Sequence, residues 1–366
     1  MRILHLIDNL NQGGEQRQIV ELLRGLPDGF EHHVLHYHDD FFFRPQIEAA
    51  GGTVHHIPKA LGADLRFPLR FGAFLRKHRF DLVHARLTGP SLWGAIATPF
   101  GTPLLSHESL AGPFNKTEIW CRRAYLPRVT LIPCNTRMRM RELNSHLGIS
   151  MKRMRFVPNI WDPKLPEKGR LASAGRRFPT SFDAEHPLVI GTSGRICFQK
   201  YPELMAQAIA LLPPEKRRCV KVRHCGWAMD KGVKEATDTI IREANLNWEF
   251  LGPLPDLTPF YLEATIFALS SRSEGMPNVI QEAGAHGLPV VSTPTGDVPD
   301  WITSGYNGQL FPLGDAAAMT AIIADLLENP GQLPTLSANM LDFVARQDPL
   351  EGLKATQAVY QEALRK

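Results

Sequence analysis

A short apolar strand followed by a glycine-bearing loop and an amphipathic helix occurs twice in this chain, and that repetition constrains the fold most. The first copy is Ile3-Leu-His-Leu-Ile7, a loop with Gly13-Gly14, and a helical pattern with Ile19, Leu22 and Leu23. The second is Leu188-Val-Ile190, then Gly191-Thr-Ser-Gly194-Arg195, then a helix opened by Pro202 with Leu204, Ala208 and Leu211 on one face. Each is the opening unit of a doubly wound domain, in which a strand feeds a helix through a tight loop. The copies begin about 185 residues apart in a chain of 366, so each half starts its own domain.

Further short apolar runs extend both patterns. Leu82-Val-His, Leu104-Leu-Ser, Leu131-Ile-Pro and Phe156-Val-Pro serve the first half. Val220-Lys-Val-Arg-His, Phe250-Leu, Ile266-Phe-Ala-Leu and Val290-Val-Ser serve the second. Helical stretches separate most of them, as parallel strands require. The expected fold is α/β, with two doubly wound Rossmann-like domains facing across a cleft at the carboxyl ends of their strands. Residues 1–165 are expected as the first domain and 188–345 as the second. Residues 166–187, rich in Pro, Gly and charge, read as a linker, and 346–366 as a C-terminal helix packing back on the first domain.

Composition narrows the setting. The opening Met1-Arg-Ile-Leu-His-Leu-Ile is too short for a signal peptide's apolar core, and no stretch approaches the ~20 apolar residues of a membrane span. The five cysteines (Cys121, Cys134, Cys197, Cys219, Cys225) are odd in number and lack CxxC spacing, so they read as reduced core thiols. A cytoplasmic protein is expected. Residues 51–170 hold 20 Lys and Arg against 7 Asp and Glu, a local balance of +13 within a net charge of +4. Part of the first half is therefore expected to face something anionic.

The most informative segment is Ser271-Arg-Ser-Glu274-Gly275-Met276-Pro277-Asn278-Val-Ile-Gln281-Glu282-Ala-Gly-Ala-His-Gly287. The strand at Ile266 ends in a loop bearing Glu274 and Gly275. Asn278 then reads as a helix cap, completed by Gln281 as a capping box, with Gly287 as the stop. The helix start offers free N–H groups and a positive dipole end, which suit an anion such as a diphosphate. Gly275 permits close backbone approach. Glu274 and Glu282, the latter expected in the first helical turn, suit hydroxyl recognition because carboxylate oxygens accept hydrogen bonds.

This segment, EGMPNVIQEAGAHGLPVV, resembles the signature of the retaining glycosyltransferases of family 4, which have the GT-B fold. The resemblance implies that Glu282 binds the ribose of a nucleotide-sugar donor and that Glu274 contacts the transferred sugar. Gly194-Arg195-Ile-Cys-Phe-Gln-Lys200 resembles the family's GR…K element, implying that Arg195 and Lys200 hold the donor diphosphate. Gly13-Gly14-Glu15 resembles its glycine loop near the amino end, implying that Gly13 and Gly14 approach the donor. His107, after a first-domain strand, matches a histidine near the reacting sugar and is expected to position or polarise; Glu15 and Arg86 are expected near the acceptor. Met276, Pro277 and Asn278 complete the donor loop. Arg86 stands where many relatives carry histidine, and Gly296-Asp297-Val-Pro299-Asp300 departs from a Gly-Gly…Pro-Glu pattern.

The implied activity is metal-independent, retaining transfer from a UDP- or GDP-linked sugar to a glycan or lipid-linked acceptor in bacterial envelope or exopolysaccharide synthesis. The first domain takes the acceptor, the second the nucleotide sugar, and no cofactor is expected. No DxD metal motif stands near a strand end, so Arg195, Lys200 and the helix start would stabilise the leaving diphosphate. Alternatives are a GT-B nucleotide-sugar epimerase and a non-catalytic scaffold binding sugar nucleotide or lipid.

Two other clusters invite function. His32, His33, His36 and His38 with Asp39 and Asp40 suggest metal ligands, yet the segment reads equally well as a polar-ended strand and its spacing fits no familiar site. Arg122, Arg123, Arg128, Arg137, Arg139, Arg141, Lys152 and Arg153 lie among Trp120, Tyr125 and Leu126. They form either a solvated face or a patch that docks on an anionic membrane surface. Nucleic acid is not expected, since no recognition motif accompanies the charge.

Overall fold

Alternating short strands and helices build two units in the computed structural model, which describes residues 1–26, 29–60, 64–109 and 115–366. One unit comprises Met1–Asp162 with Pro349–Lys366, the other Pro163–Asp348. Both sheets are wholly parallel, and their central strands are buried along nearly their whole length because helices cover both faces.

In the first unit β1 (Arg2–Leu6), β2 (Glu31–His36), β3 (Thr53–His56), β4 (Leu82–Arg86) and β5 (Leu104–His107) run in the order β3-β2-β1-β4-β5. β6 (Ile132–Cys134) and β7 (Met154–Phe156) pair beside them, joined to the β5 region through bridges from Leu105 to Leu131 and from Glu108 to Cys134. Alternation along β1 sends Ile3 and Leu4 to opposite faces. Helix α1 (Gly14–Gly25) packs Ile19, Val20 and Leu23 on Ile7 and Val34. Helices α2 (Phe67–His78) and α3 (Thr88–Ala97) cover the other face, where Phe67, Phe71 and Leu75 meet Leu4, Leu6 and Leu35. Helix α4 (Lys116–Tyr125) starts with a capping box between Asn115 and Glu118. The C-terminal helix Glu351–Ala363 seats Leu353, Val359, Tyr360 and Ala363 against Ile3, Leu22 and Leu82, on the side of α1. Arg155 donates to Glu362 at 2.7 Å, tying that helix to the end of β7.

The second unit orders β8 (Leu188–Ser193), β9 (Val220–Cys225), β10 (Asn247–Gly252), β11 (Ile266–Leu269), β12 (Val290–Ser292) and β13 (Gly308–Leu310) as β10-β9-β8-β11-β12-β13. Its order reverses between β8 and β11, and ligands of open α/β sheets bind at the carboxyl ends of such strands. Among its helices are α5 (Leu165–Ala172), α6 (Pro202–Ala210), α7 (Thr258–Glu263) and α8 (Asn278–Ala285).

Three expectations need correction. Residues 166–187 are not a bare linker: α5 occupies the start of that span and packs on α8. A Cβ at Gly169 would lie 2.4 Å from the carbonyl oxygen of Ala285, so the glycine marks a close helix contact, not a chain break. Asn278 does not cap α8. Pro277, at φ −71° and ψ 120°, takes the cap position, so the helix starts one residue earlier, no side chain caps it and Glu282 falls in the second turn. Finally, Cys121 and Cys219 are half-buried, unlike buried Cys134, Cys197 and Cys225; all five are free thiols. Among the described residues no helix is long and apolar enough to cross a membrane.

Candidate functional site

In the second unit the motif residues gather where β8 and β11 end. Gly194 and Arg195 follow β8 directly, and the loop through Lys200 is fixed from several sides. The Nε2–H of His224 donates to the Gly194 carbonyl at 3.2 Å, and burial pushes His224 down to about 4, so it stays neutral. The Arg272 backbone N–H donates to the Gln199 carbonyl at 2.8 Å, and the Gln199 side chain donates to the Ser273 carbonyl at 2.9 Å. These bonds join the loop after β8 to the loop after β11. The result is a close ion pair: Lys200 Nζ lies 2.6 Å from Glu274 Oε1, with the side chains 17% and 7% exposed. Arg195 is not drawn into that pair; its guanidinium lies 3.5 Å from Met229 Sδ.

Beyond Glu274, the Gly275 carbonyl accepts from the Asp297 N–H at 3.1 Å. Gly296 has φ +58°, and a Cβ there would sit 1.9 Å from that same carbonyl oxygen. The departure from the family pattern at Asp297 therefore keeps the one glycine that this contact requires. Gly275, Met276 and Pro277 lead into α8 at Asn278. Glu282, buried on α8, accepts from the Tyr261 hydroxyl of α7 at 2.8 Å. A cation, a helix start without a side-chain cap and two oriented carboxylates suit a ligand that carries both an anionic group and hydroxyls.

The first unit assembles its own set at the ends of β4 and β5. Gly13, extended, precedes α1, and exposed Gly14 opens it onto free space. Glu15, next in the first turn, accepts from Arg86 Nη1 at 3.1 Å. Burial alone would raise the Glu15 carboxyl, but neighbouring Arg86 and His107 and a hydrogen bond from Ser109 outweigh it and hold it below the usual range. Arg86 and His107 are register partners on β4 and β5. Burial first, and the Arg86 charge second, push His107 down to about 4, which keeps it neutral. Its Nδ1 lies 3.3 Å from His84 Nε2.

Glu108, one residue on, is locked: Arg122 donates twice at 3.1 and 2.9 Å, Tyr125 donates at 2.9 Å, and Arg139 stands at 3.4 Å. This corrects the reading of the basic run as one surface. Arg122, Arg139, Tyr125 and Leu126 are interior, whereas Arg123, Arg137, Arg141, Lys152 and Trp120 are exposed. Among the described residues no three His, Cys, Asp or Glu side chains converge as metal ligands would. His36 and His38 meet through a backbone carbonyl at 3.0 Å, and His36 stacks on His56. A hollow of about 560 Å³, lined by Arg176, Phe178 and Leu262 among others, includes none of the motif residues.

Sequence reasoning missed Tyr261, His224 and Tyr360. Each is a polar group within an apolar pattern, and its only signal is that a buried hydroxyl or imidazole needs some partner.

Comparisons with known proteins agree across the chain. The model of glycosyltransferase family 4 matches residues 12–165, and that of glycosyl transferases group 1 matches residues 187–329. D-inositol 3-phosphate glycosyltransferase 1 of Catenulispora acidiphila is 27% identical over 308 residues, 78% of this chain and 73% of that protein. The lipopolysaccharide core biosynthesis mannosyltransferase LpcC of Rhizobium leguminosarum is 27% identical over 184 residues, 48% of this chain and 51% of its own. Among solved structures, Anabaena Alr3699/HepE in complex with UDP and glucose superposes with a TM-score of 0.82 at 20% identity, covering 99% of both chains.

Proposed function

Because this chain belongs to the family 4, group 1 glycosyltransferases and has their GT-B fold, we propose that its donor is a nucleoside diphosphate sugar. The Lys200–Glu274 pair beside the start of α8 carries this reading. A donor diphosphate takes Lys200 from Glu274 and shares Arg195 and the first N–H groups of α8. Glu274, released, accepts from a hydroxyl of the sugar, and Glu282 accepts from the ribose.

Transfer follows with retention. The bond from the anomeric carbon to the diphosphate oxygen breaks, and the acceptor oxygen bonds to that carbon from the same face. The acceptor proton passes to the departing phosphate oxygen. Fixed cations and the helix dipole stabilise the charge that develops on the diphosphate. No metal is needed, so chelator leaves turnover nearly intact; complete loss would refute this.

Glu15, Arg86 and His107 in the first unit serve the acceptor, and the Gly13-Gly14 loop before α1 serves the donor. The acceptor is an envelope glycan or lipid-linked sugar. Support comes from relatives named for D-inositol 3-phosphate and for lipopolysaccharide core, and from a similar fold solved with UDP-glucose. The enzyme works in the cytoplasm, with Trp120, Arg123 and Arg137 resting on an anionic membrane face. The comparisons favour neither the epimerase nor the scaffold reading.

The test is a thermal-shift screen of UDP, GDP, ADP and their sugar derivatives, with Glu282→Ala as control. Stabilisation by one nucleotide series, lost in the variant, is expected. No shift from any nucleotide would remove the donor assignment.

A further inference from the structure

We propose that Tyr360 and His84 set the tautomer of His107, so that His107 presents a neutral Nε2–H donor, and not a proton acceptor, at the end of β5. This rests on the reading of His107 as an acceptor-side residue and adds how it acts.

The relay starts on the C-terminal helix. The Tyr360 hydroxyl lies 2.8 Å from His84 Nδ1, across 276 positions of sequence. Tyr360 is fully buried, and among the described residues its hydroxyl bonds to nothing else. A phenol that only accepted would leave its O–H unpaired in the interior; one that donates leaves only a lone pair without a partner. The buried donor is the costlier orphan, so the hydroxyl donates to Nδ1.

His84 must then carry its proton on Nε2. It remains neutral because burial, and after it the Arg86 charge, hold its pKa well below the ordinary value. Nε2 of His84 lies 3.3 Å from His107 Nδ1, so it donates there. With Nδ1 accepting, the neutral His107 ring carries its own proton on Nε2. That nitrogen hydrogen-bonds to none of the described residues, and the Arg86 charge opposes a second proton on the ring.

A neutral imidazole N–H cannot take the acceptor's proton through that atom. It can donate to an oxygen that gains charge or to a substrate hydroxyl, which agrees with the departing phosphate taking the proton. Tyr360 and His84 are thus positioning residues: they act on substrate only through His107. The last helix of the chain, whose sequence shows only an amphipathic pattern, fixes the chemistry of a residue at the far end of the relay.

The experiment is a long-range proton–nitrogen correlation spectrum of full-length protein labelled at histidine, with His107 assigned by its absence in His107→Asn. Wild type is expected to show His107 protonated at Nε2. Tyr360→Phe keeps the ring and removes the hydroxyl. It should populate the Nδ1–H form of His107 and lower kcat roughly ten-fold, with donor Kd unchanged. His84→Gln supplies an amide N–H toward His107 Nδ1 and should restore the Nε2–H form. A wild-type His107 protonated at Nδ1, or one whose tautomer ignores Tyr360→Phe, overturns the proposal. Should Tyr360→Phe not fold, the wild-type spectrum decides alone. The spectrum needs no turnover, so absence of sugar transfer would sink the proposed function and leave the relay to be judged separately.

Discussion

Lys200 Nζ stands 2.6 Å from Glu274 Oε1, and the two residues belong to different loops, one after β8 and one after β11. The pair neutralises two charges that would be costly to bury singly. On the proposed function it also holds two donor-binding groups ready, since a diphosphate would compete for the lysine and a sugar hydroxyl for the carboxylate. Lys200→Ala should lower kcat by roughly 10²–10³, the loss typical of removing one group that stabilises developing charge. It should also lower Tm, because Glu274 is left nearly buried without its cation. Steady-state kinetics and donor titration check this, and a kcat within about two-fold of wild type would end the diphosphate role.

Gly296 makes a second, steric prediction. Its φ of +58° already disfavours other residues, and a Cβ would meet backbone oxygens of Gly275 at 1.9 Å and Glu274 at 2.5 Å. Backbone cannot swing away as a flexible side chain can. Gly296→Ala should therefore displace the loop carrying Glu274, cost about 1–3 kcal/mol of stability and weaken donor binding. Normal Tm and normal donor affinity together would show that the loop accommodates the methyl group.

The parts that were legible in the sequence share one cause. Strands β1, β8 and β11 stand out as short, largely apolar runs because both of their faces are buried, whereas β9 alternates Val220 and Val222 with half-buried Lys221 and Arg223. Glu274 and Glu282 stood out through one contiguous motif and Lys200 through the separate Gly194–Lys200 run. What escaped depended on partners distant in sequence. Gly169 looked like a chain breaker because its reason for being glycine is Ala285, more than a hundred residues on. Arg122 and Arg139 looked like surface charge because only the fold brings them to Glu108. Asn278 looked like a cap because propensity ignores the backbone angles that Pro277 imposes.

Tyr261 orients Glu282 through a hydrogen bond of 2.8 Å from a ring with 1% exposure. Tyr261→Phe removes the donor and keeps the packing against Phe260 and Phe267. If Glu282 binds the ribose, nucleotide affinity should weaken by roughly ten-fold or less, since one hydrogen bond is worth about 0.5–1.5 kcal/mol. Calorimetric titration with the nucleotide found in the screen measures this. Equal affinity in the two proteins would mean that the hydroxyl does not hold the carboxylate for its ligand.

The buried histidines predict acid sensitivity. Burial, the largest cause in each case, pushes His32, His36, His107 and His224 from 6.5 down to about 4, and holds His5 and His84 well below the ordinary value. In the unfolded chain these rings bind protons below about 6.5, whereas in the folded protein they do not until about 4. The unfolded state therefore binds more protons within that window, and stability must rise with pH across it. Above 6.5 the stability is complete; as pH falls toward 4 each such ring removes about 1.4 kcal/mol per pH unit, an upper estimate where rings interact. The carboxylate of Glu15, held low by Arg86 and its neighbours, loses its contribution only further into acid. Scanning calorimetry between about pH 7.5 and 4.5 should show Tm level at first and then falling steeply below about 6.5. A level Tm through the whole range would show that these rings charge freely in the folded protein.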